Sequence, residues 1–352
     1  MVTTEPFVSG EHGYHTYRIP AMVVSAKGTL LAFCEARKHS RSDSGDIDIA
    51  LRRSLDNGET WEEQRIIADA GAHVFGNPCP VADGSTGTIW LPLCWNLADG
   101  AEPKIMLGEA PRTVWMTKSD DDGLTWSEPI EITAAVKRPD WTWYATGPGH
   151  GVQTRSGRLV IPCDHAVSGP VSEAHEHFGS HVIYSDDHGV TWEIGGVVSG
   201  RVNECAVAEL GDGSLYLNMR SYHGANRRAV ARSLDEGQTW TDVELDDALV
   251  EPICQAGLVF HGAEGEGWLL FSNPASTKRE AMTVRLSRDG GRTWPASVML
   301  HAGPSAYSDL AVAPDGTICC LYERGSEHPY ERISLARFSI DDLPHAAAVA
   351  TR

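Results

Sequence analysis

Short apolar runs set off by glycine turns recur along the whole chain. A turn ending in Gly precedes such a run at Gly28, Gly87, Gly157, Gly213, Gly267 and Gly316, in KGTLLAFC, TGTIWLPLC, SGRLVIPC, DGSLYLNM, EGWLLFS and DGTICCLY. Each is followed by a second run of the same kind: IDIALRRS, TVWMTKS, SHVIYS, AVARS, MTVRLS and RISLARFS. Runs of this length between turn residues read as strands, and segments with helical period are nearly absent. The pattern predicts an all-β protein.

A second repeat marks where those strands end. Ser-x-Asp-x-Gly-x-Thr-Trp occurs five times, in SLDNGETW from Ser54, SDDDGLTW from Ser119, SDDHGVTW from Ser185, SLDEGQTW from Ser233 and SRDGGRTW from Ser287. Asp bonds backbone two residues on, Gly permits positive φ, and Trp anchors the turn in a core. A decayed sixth copy stands at Ser339-Ile340-Asp341. Four short antiparallel strands repeated at intervals of 49 to 70 residues describe a propeller blade. The expectation is one six-bladed β-propeller spanning residues 1–352, with five clear boxes and one degenerate. Its ring is closed by pairing the stretch before Tyr17 with the last unit.

Composition narrows the class of partner. With 41% apolar and 22% charged residues the chain is globular rather than disordered. Its formal charge of −19 argues against nucleic acid. No apolar run reaches the length of a membrane span. The eight cysteines have no framework spacing and read as buried thiols in a reducing compartment. MVTTEPFVSG has no basic region before an apolar stretch, so no signal peptide is visible and a cytoplasmic location is the default expectation.

Propeller geometry sorts the polar residues. First strands line the channel, so Arg18, Asn77, Tyr144, Glu204, Gln255 and Tyr307 are expected to converge at one face. The ends of second strands bring Glu35, Arg37, Arg220, Glu323 and Arg324 to that face. The following loop brings Asp43, and Arg285 is expected to begin the third strand of the fifth unit. The repeated boxes fall on the opposite face and read as structural turns. Arginines grouped on an acidic protein match a carboxylate ligand, which a guanidinium grips bidentately.

These residues resemble the sialidase (neuraminidase) family of glycoside hydrolases, of the non-viral exo type, across nearly the whole chain. The motifs are Tyr17-Arg18-Ile19-Pro20, the five Asp boxes, Asn203-Glu204, Arg220, Arg285 and Tyr307-Ser308. The resemblance implies that Arg18, Arg220 and Arg285 hold a sialic acid carboxylate. It implies that Tyr307 is the nucleophile, Glu204 its partner base, and Asp43 the general acid/base. Asp46 and Asp48 are alternatives for the last role. Glu323 would orient Arg18, while Arg37, Glu35 and Asn77 would contact other sugar substituents. The implied activity removes terminal sialic acid from a sialylated glycan or oligosaccharide, without cofactor or metal. A related enzyme for the deaminated sugar, or a glycan-binding propeller without catalysis, are the alternatives.

A tyrosine nucleophile suits this chemistry. A carboxylate would approach the substrate's own carboxylate with like charge, and a neutral phenol would not. A phenol with a pKa near ~10 needs a base to become nucleophilic. Asp43 must be protonated in the first step, which implies a mildly acidic optimum.

Three further features stand outside these motifs. His175, His177 and His181 could suggest a metal but lack a fourth ligand, and read as a solvated or substrate-facing loop. Gly147-Pro148-Gly149-His150-Gly151 has no helix after it, so it is read as a close backbone approach rather than a nucleotide loop. Trp141, Trp143 and Tyr144 form an aromatic cluster, either packed in the core or stacked on a glycan.

Overall fold

The computed structural model describes residues 1–169, 175–263 and 265–343, and they form an all-β protein. Helix among the described residues is confined to short pieces such as Glu102–Met106 and Thr133–Val136. No helix among them is long and apolar enough to cross a membrane.

Apart from one parallel contact, Ile47 opposite Val74, successive strands pair antiparallel, because each folds back on its predecessor through a short turn. Val202–Glu209, Leu215–Ser221, Arg227–Ser233 and Glu244–Val250 form one four-stranded sheet. Trp141–Thr146, Leu159–Val167, Phe178–Ser185 and Glu193–Ser199 run the same way in another. A 17-residue strand, Ala296–Val312, serves two groups. Residues 296–304 pair with Glu280–Ser287, and residues 305–312 pair with Ile318–Arg324. The N-terminal strand Val2–Val8 pairs with Arg332–Phe338, the last strand of the described chain.

The second strand of a group is sandwiched between neighbouring sheets. All eight residues of Leu30–Arg37 are buried, as are all but the last of Leu159–Val167. Burial on both faces explains why these segments read as continuous apolar runs rather than alternating ones.

The five repeated turns share one hydrogen-bond pattern. In SDDHGVTW, Asp187 Oδ1 accepts the Thr191 N–H at 2.8 Å and Oδ2 accepts the Thr191 hydroxyl at 2.6 Å. Ser185 Oγ accepts the Gly189 N–H at 2.7 Å and donates to Asp187. The same contacts recur around Asp56, Asp121, Asp235 and Asp289. Gly189 has φ +87, and a Cβ there would stand 2.2 Å from the Trp90 ring. Each turn's tryptophan packs against a different core cluster: Trp61, Trp126, Trp192, Trp240 and Trp294.

Three interruptions in the first strands of their groups position the site. Ladder register breaks between Arg18 and Ala21, between Val202 and Cys205, and between Ser305 and Ser308. A bulge leaves residues unpaired and re-aims their side chains. The residues released are Ile19 with Pro20, Asn203 with Glu204, and Ala306 with Tyr307, while Arg18, still opposite Glu35, stands at the edge of the first break. Ile19 has φ +60, an outlier for a β-branched residue. Its N–H has left the ladder and donates to Glu323 Oε1 at 2.9 Å.

Candidate active site

Arg18, Ile19, Asn203, Glu204 and Tyr307, at these three breaks, face a cavity of about 270 Å³. Of the residues expected from the sequence, Arg18, Glu35, Asp43, Asn77, Glu204, Arg220 and Tyr307 line it.

At its centre the Tyr307 hydroxyl donates to Glu204 Oε1 at 2.6 Å, and Arg220 Nη1 donates to Glu204 Oε2 at 2.7 Å. Burial, and then the Glu204 carboxylate, push the Tyr307 phenol well above its ordinary value. Tyr307 therefore stays protonated, and its only route to nucleophilicity here is transfer of the proton to the carboxylate it already touches.

Glu323 is fully buried and works with both oxygens. Oε1 accepts from Arg18 Nε at 3.2 Å, and Oε2 accepts the Tyr307 backbone N–H at 3.0 Å. Arg37 is also buried and does not line the cavity. It donates to Glu35 and lies 2.7 Å from Asp43 Oδ1. Glu35 Oε1 takes the Asn77 N–H at 2.9 Å. Expected sugar-contacting residues thus divide into those facing the cavity and those holding them.

Asp43 stands at the mouth with 78% of its side chain exposed, 3.2 Å from Arg18 Nη1. Although open to solvent above, it is hemmed in below. That desolvation alone would raise its proton affinity, but Arg37 and then Arg18 outweigh it and hold the carboxyl below its ordinary value. The two alternatives do not face the cavity. Asp46 pairs with Lys38 at 3.3 Å, while Asp48 is buried against the Tyr14 hydroxyl and pushed up to about 6 by burial.

One expected residue is corrected. Arg285 does not begin a strand and does not line the cavity. The strand runs Glu280–Ser287, which sets Arg285 opposite Phe271 and Ser297 in mid-sheet, donating to Asn273 Oδ1 at 3.3 Å. The third arginine beside Tyr307 is instead Arg279, in the loop just before that strand, with Nη1 2.7 Å from the Tyr330 hydroxyl. Its position after a second strand, like that of Asp43, is the signal that would have found it. Arg18 and Arg279 lie 5.1 and 5.6 Å from the Tyr307 ring centroid. Arg18 Nη2 and Arg220 Nε are buried without a hydrogen-bond acceptor. Bare, buried guanidinium N–H groups beside one phenol await an anion.

Two channel residues also differ from expectation. Tyr144 turns into the core, where its hydroxyl meets Cys163 Sγ, while its neighbours Trp143 and Ala145 line the cavity. Gln255 is buried, its Nε2 donating to Pro148 O and Ser308 O. Trp141 is buried and stacks on His165 with ring centroids 3.9 Å apart. Sequence reasoning also missed Glu102, Arg112, Asp164, Tyr222 and Tyr330, all on the cavity wall.

The histidines do not act together. His181 is buried with Nδ1 3.1 Å from His165 Nδ1, and His175 stacks on Tyr222. Residues 170–174 of that loop lie outside the described residues. Among the described residues no group of three or more His, Cys, Asp or Glu side chains is arranged to hold a metal ion. The glycine-rich segment does approach the interior closely: a Cβ on Gly147 would stand 2.9 Å from Cys79 Sγ. All eight cysteines are buried and unbridged.

Residues 28–320 match the BNR repeat-like domain family. A sialidase of Bacteroides fragilis is 35% identical over 345 residues, covering 91% of this chain and 62% of that protein. An exo-alpha-sialidase of Aspergillus fumigatus is 32% identical over 363 residues, covering 93% of this chain and 85% of the relative. A solved Hadza microbial sialidase superposes with a TM-score of 0.87 at 33% identity, covering 97% of this chain and 69% of that one. This chain therefore spans less than two thirds of the Bacteroides protein. Likeness over this much of the sequence, in company with solved and curated relatives of one name, places the chain in the sialidase family.

Proposed function

We propose that this protein is an exo-α-sialidase that hydrolyses terminal sialic acid from glycoconjugates with retention, through a covalent tyrosyl intermediate. The observation that carries it is Tyr307 bonded to Glu204 and flanked by Arg18, Arg220 and Arg279, with Arg18 Nη2 and Arg220 Nε buried and left bare. The substrate carboxylate takes those guanidinium groups and brings the anomeric carbon to the phenol. Tyr307 Oη attacks as Glu204 receives its proton, while Asp43 protonates the departing glycosidic oxygen. Asp43 then draws a proton from water, which displaces the tyrosine, and Glu204 returns the phenolic proton. Two displacements at one carbon give retention.

The scaffold is a single domain over residues 1–352, a six-bladed propeller with five Asp boxes and a sixth, degenerate one. It is supported by successive four-strand groups and by the pairing of Val2–Val8 with Arg332–Phe338.

The test is fluorophore release from the 4-methylumbelliferyl α-glycoside of N-acetylneuraminic acid, with Tyr307→Phe alongside. Release by the parent, and a loss of about 10²–10⁴-fold in the variant, are expected. Proton NMR should show the α-anomer forming first. An equally active variant, or first-formed β-anomer, would sink the tyrosyl mechanism. No release, there or from the deaminated analogue, would favour a binding propeller.

A further inference from the structure

On the cavity wall away from Tyr307, Asp164 stands apart from the other acids. It comes from the buried strand Leu159–Val167, and no part of it reaches solvent. Oδ2 accepts from Trp143 Nε1 at 3.0 Å and from Asn203 Nδ2 at 2.9 Å. Oδ1 is buried, has no hydrogen-bond partner, and belongs to a residue lining the cavity.

The remaining cavity carboxylates have other means of stabilisation. Glu204 pairs with Arg220, Asp43 with Arg37 and Arg18, and Glu35 with Arg37. Glu102 is exposed and can be hydrated. Among the described residues no cation lies within ion-pair distance of Asp164, even though Arg112 and Arg220 share its cavity. A buried carboxylate with no counter-ion and one oxygen without a hydrogen bond is strongly disfavoured. Two N–H donors already occupy Oδ2, so a proton on this carboxyl belongs on Oδ1.

We infer that Asp164 binds the sugar as a neutral carboxylic acid, its Oδ1–H donating to a hydroxyl or carbonyl oxygen of the substrate. This deepens the sialidase assignment and rests on it. The groups bearing on its ionisation are Glu204 on Val202–Glu209, Arg220 and Tyr222 at and beyond the end of Leu215–Ser221, Arg112 on Arg112–Ser119, Tyr144 on Trp141–Thr146, and the buried thiols of Cys94 and Cys205. Burial first, and Glu204 second, raise its proton affinity well above the carboxylate range, while Arg112 and Arg220 oppose them.

An amide separates this role from that of an accepting carboxylate. In Asp164→Asn, Trp143 and Asn203 still donate to Oδ1, which leaves the Nδ2 donor facing the cavity where the acid proton stood. Asp164→Ala has no donor. The test measures binding by calorimetry in a Tyr307→Phe background, where no turnover intervenes. The probe is 2-deoxy-2,3-didehydro-N-acetylneuraminic acid, flattened at the reacting carbon, between pH 6 and 10. Asp164→Asn should bind within about threefold of its parent, and Asp164→Ala should bind about three- to tenfold more weakly. As pH rises the parent should lose affinity more steeply than Asp164→Asn, because only the acid can ionise. Equal losses in both variants, no loss in either, or one pH slope for parent and Asn variant would overturn the inference. Failure of the parent itself to bind would instead overturn the sialidase assignment on which it rests.

Discussion

Asp43 leans on Arg18, with Oδ1 3.2 Å from Nη1, in a cavity where that arginine, proposed to receive the substrate carboxylate, keeps its buried Nη2 without an acceptor. The contact lowers the proton affinity of the group proposed as general acid. An arriving carboxylate neutralises Arg18 and removes part of that effect, so substrate binding should raise Asp43 toward a protonated state.

The pH profiles should therefore separate. The alkaline limb of kcat/KM reports free enzyme and should lie at lower pH than the alkaline limb of kcat, which reports the complex. Rates measured from pH 3.5 to 8 will decide. Coincident limbs would mean that the substrate does not relieve Asp43.

Arg279 and Arg285 should behave as different kinds of residue. Arg279→Ala removes a cation beside Tyr307 and should lower kcat/KM by about tenfold to a hundredfold, the range for a charge-assisted contact. Arg285→Ala removes a mid-sheet side chain bonded to Asn273 and should leave kcat/KM within about threefold. Equal losses of activity in the two variants would contradict the assignment of Arg279.

The repeat turns should matter for stability alone. Asp187→Ala strips acceptors from the Thr191 N–H, the Thr191 hydroxyl and the Ser185 hydroxyl. Denaturant unfolding should show a loss of about 1–3 kcal/mol, while KM for the fluorogenic glycoside is unmoved. A changed KM would place that turn nearer the site than its hydrogen bonds indicate.

Acid should unfold the protein in two stages. Burial depresses His165 to about 3 and drives His181 well below its ordinary value. The unfolded chain, with imidazoles near ~6.5, takes up protons that the folded state refuses, so stability falls from about pH 6.5 toward 3. Asp121 and Asp235, held at about 2 first by threonine hydroxyls, lose their contribution lower still, below ~4. His165→Phe keeps a ring against Trp141 and should shrink the drop in Tm between pH 7 and 4.5. An undiminished drop would clear His165.

What could be read from residues alone followed the physics of each signal. The five turns and the Gly-led strands repeat, so the all-β class was legible from self-similarity. Arg18, Glu204 and Tyr307 were legible because inner strands deliver polar residues to one face. Tyr144 was misplaced by parity: the ladder slips between Trp141 and Trp143, and a one-residue slip turns every later side chain over. Arg285 was misplaced because the strand begins at Glu280, five residues before it. Asp164 gave no signal, since one Asp in an apolar run does not reveal that its outer oxygen is bare.

The pairing of Val2–Val8 with Arg332–Phe338 also sets a time at which the complete site can exist. Arg18 is held by Glu323, 305 positions later, and the Met22 N–H donates to Asp309 across 287. A chain still emerging from the ribosome holds Arg18 long before Glu323 or Tyr307 has been synthesised. Contacts of such long sequence separation form late and slowly. Activity should thus appear only after the final strand is released, and a nascent chain stalled before Tyr307 should be silent however many of its sheets have folded.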